Sequence, residues 1–93
     1  MEMRIREERD ILFSEMVRMK LKEIIPIVEK ISKAIEGEEA SRACMAISSI
    51  LLILLQKYDI TYTDVLGMAD CMVFPSAKNF QIAPELEDIA KKL

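Results

Sequence analysis

The longest apolar run of the chain lies between residues 43 and 55, where Ser48 and Ser49 are the only residues that are not apolar. Successive residues of an α-helix lie about 100° apart, so the last six residues of this run would direct apolar side chains all around a helix. A helix that is apolar on every side is normally buried on every side. The pattern therefore predicts a central, buried helix over about residues 38–57.

A second apolar pattern lies upstream, between residues 2 and 36. Its side chains alternate spacings of four and three residues, namely Val17, Leu21, Ile24, Val28, Ile31 and Ile35, and Phe13 extends the pattern by one turn. This spacing predicts a helix with one apolar face. Pro26 falls within the pattern and has no N–H group to bond the Lys22 carbonyl. Because the pattern keeps its phase across Pro26, we expect a kink or a very tight break there. Two separate helices, with Pro26 in the first turn of the second, are the alternative.

Turn residues predict where the helices begin and end. Gly37 follows the first helical segment and suits the left-handed position that closes a helix. Thr61 and Asp64 have the spacing of a capping box, which predicts a helix from about Tyr62.

The last third of the chain is predicted to hold one more helix. Pro75 disfavours helical geometry at the residue before it, so the preceding helix should stop near Val73. Residues 74–83 are predicted to form a loop that packs against its own domain. A final helix is predicted to begin at Pro84. The chain is therefore predicted to be an all-α bundle of four to five helices.

Length and composition agree with this fold class and add an expectation about assembly. The 93 residues include only two glycines and are 52% hydrophobic, which favours helices over a sheet with its many turns. We expect residues 1–93 to form a single domain. A domain of this size buries only about 60–65% of its unfolded surface, and few helices remain to cover a central one. A homodimer or higher oligomer is the simplest way to complete the bundle.

Charge and cysteine content predict a cytoplasmic protein. The formal charge of −3 argues against broad attraction to nucleic acids or to anionic membranes. Residues 1–10 do not resemble a secretory signal peptide, and the run at 43–55 is too short to span a bilayer. Cys44 and Cys71 lack a metal-binding spacing, so we expect two free, buried thiols in a reducing compartment.

The chemistry of a catalyst is missing from the sequence. The chain has no histidine, so the common catalytic dyads and triads cannot form. Neither a metal-ligand spacing nor a phosphate-binding glycine loop is present. We therefore expect neither an enzyme nor a bound metal or cofactor.

The leading hypothesis is a non-catalytic protein-interaction module, that is, a regulator, an adaptor or an inhibitor, with phage- and plasmid-type accessory inhibitors as one such class. Its partners would be a second copy of the chain and another protein. The candidate interface consists of apolar side chains in the first helical segment, namely Phe13, Met16, Val17, Met19, Leu21, Ile24 and Val28. Methionine-rich helix faces adapt to irregular partner surfaces.

Two alternative functions remain open. The first is a small-molecule or nucleotide site near Tyr58, Tyr62, Lys78 and Asn79, where aromatic rings beside a lysine could hold a base and a phosphate. The second is nucleic-acid binding through the N-terminal arginines Arg4, Arg6 and Arg9, although interleaved acidic residues make this the less favoured reading.

Overall fold

The computed structural model describes residues 2–76 and 81–93. This part of the chain contains five α-helices, one turn of 3-10 helix and no β-strand. In chain order the elements are α1 (Glu2–Arg18), α2 (Leu21–Ala34), α3 (Ala40–Gln56), α4 (Tyr62–Val73), the 3-10 turn Pro84–Leu86 and α5 (Glu87–Lys92). The prediction of an all-α fold with four to five helices is confirmed.

The first helical segment breaks at Met19 and Lys20, six residues before the expected position. The Lys20 backbone is extended, and its N–H donates to Glu23 Oε2 at 2.8 Å. The backbone N–H of Glu23 donates in turn to the Lys20 carbonyl at 3.0 Å, which closes the first turn of α2. Pro26 lies inside α2, where its ring removes one bond, to the Lys22 carbonyl, without ending the helix. The chain forms two helices, and the prediction of a break at Pro26 is wrong because Glu23 stabilises an earlier helix start. A kink of α2 at Pro26 stays a prediction.

Gly37 closes α2 and turns the chain toward α3, as its position in the sequence predicts. Its φ is +85°, a region that L side chains rarely adopt. The backbone N–H of Ile35 still donates to the Ile31 carbonyl at 3.1 Å, and that of Glu38 donates to the Ile35 carbonyl at 3.0 Å. A short turn therefore separates α2 from α3.

The C-terminus of α3 has the hydrogen-bond pattern of a Schellman motif. Asp59 has a φ of +53°, and its N–H donates to the Gln56 carbonyl at 3.4 Å. The N–H of Ile60 donates to the Leu55 carbonyl at 3.3 Å. Leu55 and Ile60 are both buried, in agreement with the apolar contact that accompanies this motif.

Helix α4 begins at the predicted residue with a variant of the predicted cap. Thr61 is the N-cap, and its Oγ1 donates to Asp64 Oδ2 at 2.9 Å. The two side chains thus bond to each other, whereas a capping box would bond each to a backbone N–H group. The helix ends at Val73, one residue before Phe74, as Pro75 predicts.

The best-packed part of the molecule lies between α2 and the C-terminal segment. Ala83 is 2% exposed, and its N–H donates to the Val73 carbonyl at 2.7 Å, which ties this segment to the end of α4. Pro84 opens a 3-10 turn that leads into α5, which is shorter than the single helix predicted. The core cluster is formed by Ala83, Leu86 and Ile89, with Leu21, Ile25, Val28, Val73 and Ile82 packed around it.

The loop that joins α4 to the C-terminal segment was expected to pack on its own domain, and its ends do so. Phe74 and Ile82 are half-buried. Phe80 lies outside the described residues. Of these two residues, Ile82 packs against the same core cluster as α2.

Helix α3 is not covered within the single chain, although its sequence predicts burial on every side. Of its 17 residues, all described, only Leu55 is buried. Ile50 is 69% exposed, and Leu52, Ile53 and Leu54 are each more than half exposed. Helix α4 contacts α3, and the end of α5 lies beside its N-terminal half, but these contacts leave the large side chains exposed. The part of the prediction that places α3 inside an oligomer stays a prediction.

The total accessible surface reflects this incomplete cover. The chain exposes 7969 Å². A folded monomer of 10.7 kDa is expected to expose about 5,500 Å². The difference, about 2,500 Å², means that the chain leaves considerably more surface in water than a self-contained domain of its mass.

Candidate functional site

The described residues hold no buried polar side chain and no cluster that could bind a metal ion. Among them no charged or polar side chain is buried. No group of three or more acidic or cysteine side chains within the same ranges could hold a metal ion. The features of the surface that could carry a function are therefore apolar faces and shallow cavities.

The cavity nearest the predicted ligand site is acidic. It measures about 390 Å³ and lies between α1 and the turn that joins α3 to α4. Its charged lining residues are Arg9, Asp10, Asp59 and Asp64. The Arg9 guanidinium lies 3.7 Å from Asp10 Oδ1 and 3.7 Å from Asp59 Oδ2, so the single cation is already shared by carboxylates. An excess of negative charge opposes phosphate binding at this place.

Two of the four residues proposed for a nucleotide site, Tyr58 and Tyr62, lie in the described part of the chain. Tyr58 is half-buried and Tyr62 is exposed, and neither lines the acidic cavity. Lys78 and Asn79 lie outside the described residues. A ligand site at these four residues stays a prediction, without support from the cavity beside it.

The predicted interface of the first helical segment divides between the chain's own core and its surface. Leu21 and Val28 pack against the C-terminal core cluster, because they lie on the inner face of α2. Met16 and Ile24 are half-buried. Phe13, Val17 and Met19 are exposed and remain free to contact another chain.

Helix α2 also carries an outer apolar face that the single heptad pattern does not separate from the inner one. Ile27 and Ile31 are exposed on this side of the helix. Ile24 and Ile27, with Arg18 and Met19 from the end of α1, line a cavity of about 530 Å³. The break at Met19 and Lys20 creates this cavity, so only the tertiary structure could show it.

An apolar face that is exposed except for the half-buried Ala43 lies along α3, and we call it the α3 stripe. It consists of Ala43, Ile47, Ile50 and Leu54, which are spaced four, three and four residues apart and so share one side of the helix. Arg42 is the only charged residue of α3. The Ser49 hydroxyl donates to the Met45 carbonyl at 2.7 Å, so this polar group is satisfied within the helix.

The two halves of the α3 stripe lie beside different cavities. Ala43 and Ile47 line a cavity of about 390 Å³, together with the Gly37 turn and the end of α5. Ile50 and Leu54 line a shallower one of about 220 Å³. Sequence reasoning missed this stripe as a separate face because the run at 43–55 is apolar in nearly every direction. The heptad spacing of its members was the pattern that could have revealed it.

The two cysteines differ from the expectation in one respect. Cys44 and Cys71 are both free, as predicted, but both are exposed. The prediction that they are buried is wrong, because the faces of α3 and α4 that carry them lack a covering element. Cys44 lies directly beside Ala43 and lines the same cavity.

No described helix is both long enough and apolar enough to cross a membrane. Comparisons with protein-family models, with curated protein sequences and with solved structures found no match to this chain.

Proposed function

We propose that this chain is a small, non-catalytic protein-interaction module that self-associates and acts as a regulator, adaptor or inhibitor by occupying the surface of a partner protein. The observation that supports the proposal is the exposed apolar surface. Large apolar side chains are exposed on α1, α2, α3 and α4, and the total accessible surface is about 2,500 Å² above that of a self-contained domain. Contiguous apolar patches larger than a few hundred Å² mark interaction sites in soluble proteins.

Self-association is the first part of the proposal. The core cluster around Ala83, Leu86 and Ile89 is small, and it stabilises α2 and the C-terminal segment rather than α3. A second copy that covers α3 would supply the burial that the sequence of this helix demands.

Size-exclusion chromatography with light scattering at micromolar concentration tests this part. We expect the mass of a dimer or of a higher oligomer. The mass of a monomer at this concentration would refute self-association.

Binding to another protein is the second part, and its candidate surface comprises exposed apolar side chains of α1 and α2, among them Val17 and Ile27. Affinity purification of the tagged chain from its native cells should recover a partner protein in stoichiometric amount. The V17E/I27E double variant should lose it, because a charge at an apolar interface must be desolvated on binding. K30E/K33E changes exposed charges on the same helix and is the matched control, which should retain the partner. Recovery of the chain alone would contradict this part.

A further inference from the structure

The side chains on the exposed side of α3 change in size along the helix. Its N-terminal half presents mostly small residues, namely Ala40, Ala43, Cys44 and Ala46, although Met45 and Ile47 are also exposed there. Its C-terminal half presents large ones, namely Ile50, Leu52, Ile53 and Leu54. Close packing between helices requires large side chains to meet small ones or cavities. The face is therefore shaped to fit a surface whose size order is reversed.

The cavities and charges at the two ends of α3 show the same reversal. The small end borders the larger cavity, about 390 Å³, which Glu36 and Glu38 also line. The large end carries Lys57 beside Ile50, Ile53 and Leu54. Lys92 also lines the larger cavity, but its single positive charge balances only one of the negative charges of Glu36 and Glu38. One end of the face thus borders the larger cavity and is acidic, and the other borders the smaller cavity and is basic.

We propose that the α3 stripe is a two-fold interface with a second copy of this chain, in which the two α3 helices pack antiparallel; this proposal rests on the self-association proposed above. In this arrangement Ala43 of one copy lies opposite Leu54 of the other, and Ile47 lies opposite Ile50. The large end of each helix enters the cavity at the small end of the other. Lys57 of each copy approaches Glu36 and Glu38 of the other, so the charges are complementary at both ends.

The same residues disfavour a parallel arrangement of the two α3 helices. Two parallel α3 helices would place Ala43 against Ala43 and Leu54 against Leu54, which leaves a void at one end and overpacks the other. They would also bring Lys57 to Lys57. Antiparallel packing avoids both problems and is the arrangement in which a single patch is complementary to itself.

The excess exposed area of the whole chain is larger than one side of a dimer interface. Each partner of an interface of standard size buries about 800 Å², and the chain exposes about 2,500 Å² more than a self-contained domain of its mass. A dimer of standard size would therefore use only part of this excess and leave the rest for a partner protein.

Disulfide trapping tests the orientation. In a C44S/C71S background, the A43C/L54C double variant should form a covalent dimer on oxidation, because a disulfide needs Cα atoms within about 7 Å. The single variants A43C and L54C should stay non-covalent, since eleven residues of helix place equivalent positions about 16 Å apart along antiparallel axes. Efficient covalent dimers of both single variants would instead show parallel packing and overturn the proposal.

A charge placed in the stripe tests the surface itself. The I50E variant should raise the dimer dissociation constant at least about 100-fold, because the two-fold axis places two desolvated carboxylates at the centre. I27E adds the same charge to the outer face of α2 and should change the constant less than about threefold. Circular dichroism should show unchanged helix content in both variants, which separates dissociation from unfolding.

The outcomes separate this proposal from the broader one. A wild-type dimer that I50E leaves intact and I27E dissociates would move the interface to α2; it would refute the α3 interface while self-association stands. A wild-type monomer would refute both, and capture of a partner protein by that monomer would still support the interaction module.

Discussion

Helices α2 and α3 differ in burial, and the difference is the opposite of the one that their sequences predict. Helix α3 is the more apolar of the two and carries one charge, yet nearly all of it is exposed. Helix α2 carries several charges and a proline, yet its inner face packs against the best-buried part of the molecule. Burial within a chain thus depends on whether another segment presents a complementary surface, and here the C-terminal segment presents one to α2. A helix without such a segment stays exposed in the single chain, as α3 does.

The largest effect on stability should come from a truncation in the core cluster that packs against α2. Truncation of Leu86 to alanine should lower the free energy of unfolding by about 2–4 kcal/mol, since it opens a cavity in the core cluster. The matched variant Leu52→Ala, at an exposed position of α3 outside the stripe, should cost less than about 1 kcal/mol. Urea denaturation measures both values. Equal losses at the two sites would show that the contrast in burial does not govern stability.

A second effect should appear on α3 only when another copy covers it. Ile50→Ala should lower the free energy of unfolding by about 2 kcal/mol per chain where the dimer is populated. Well below the dissociation constant the cost should fall under about 1 kcal/mol, because the side chain is then in water. Thermal denaturation at low and high micromolar concentration checks this. A cost that is independent of concentration would count against a covering copy.

The turn between the two helices should respond more weakly and through the backbone. Gly37→Ala should destabilise the chain by about 1 kcal/mol, because an L residue is strained at a φ of +85° although no atom lies within 4 Å of the new Cβ. Gly67→Ala, inside α4 and equally free of contacts, should stabilise it by about 0.5–1 kcal/mol through helix propensity. Chemical denaturation should show changes of opposite sign in the free energy of unfolding for the two variants. The same sign at both sites would refute the role given to Gly37.

The smallest effect should occur where α3 ends. Asp59→Gly should raise stability by about 0.5 kcal/mol, because glycine adopts a positive φ without a steric cost. Asparagine also tolerates a positive φ, so Asp59→Asn removes only the charge. This variant therefore measures the contribution of the ion pair with Arg9. We expect a change within about 0.5 kcal/mol, since exposed pairs at 3.7 Å contribute little. A larger loss in the asparagine variant would show that the ion pair matters more than the backbone.

The helices themselves could be predicted from the sequence because their ends depend on neighbouring residues. Gly37, the Thr61 and Asp64 pair, and Pro75 act within one turn of the chain, and each lies where the structure places a helix end. The break before α2 was misplaced for a related reason. Pro26 is the more conspicuous residue, but the bond from Glu23 to the Lys20 backbone determines where the helix starts.

The candidate surfaces could be predicted only in part. Val17 and Met19 are exposed as an interface would require, whereas Leu21 and Val28 belong to the chain's own core. Spacing alone cannot separate Val17 from Leu21 and Val28, since these three residues fit one heptad pattern. The outer cavity beside Ile27 depends on the angle between α1 and α2, which no local pattern contains.

The sequence by itself determined that the chain is helical and where most of its helices end, because these features follow from hydrogen bonds and caps between residues a few positions apart. The tertiary structure alone decided which apolar faces are covered. Ala83, Leu86 and Ile89 lie more than fifty residues from the face of α2 that they bury, and a contact at that separation is chosen by the packing of the whole chain. The apolar run at 43–55 predicts a buried helix, and the structure shows that most of this helix is exposed in the single chain.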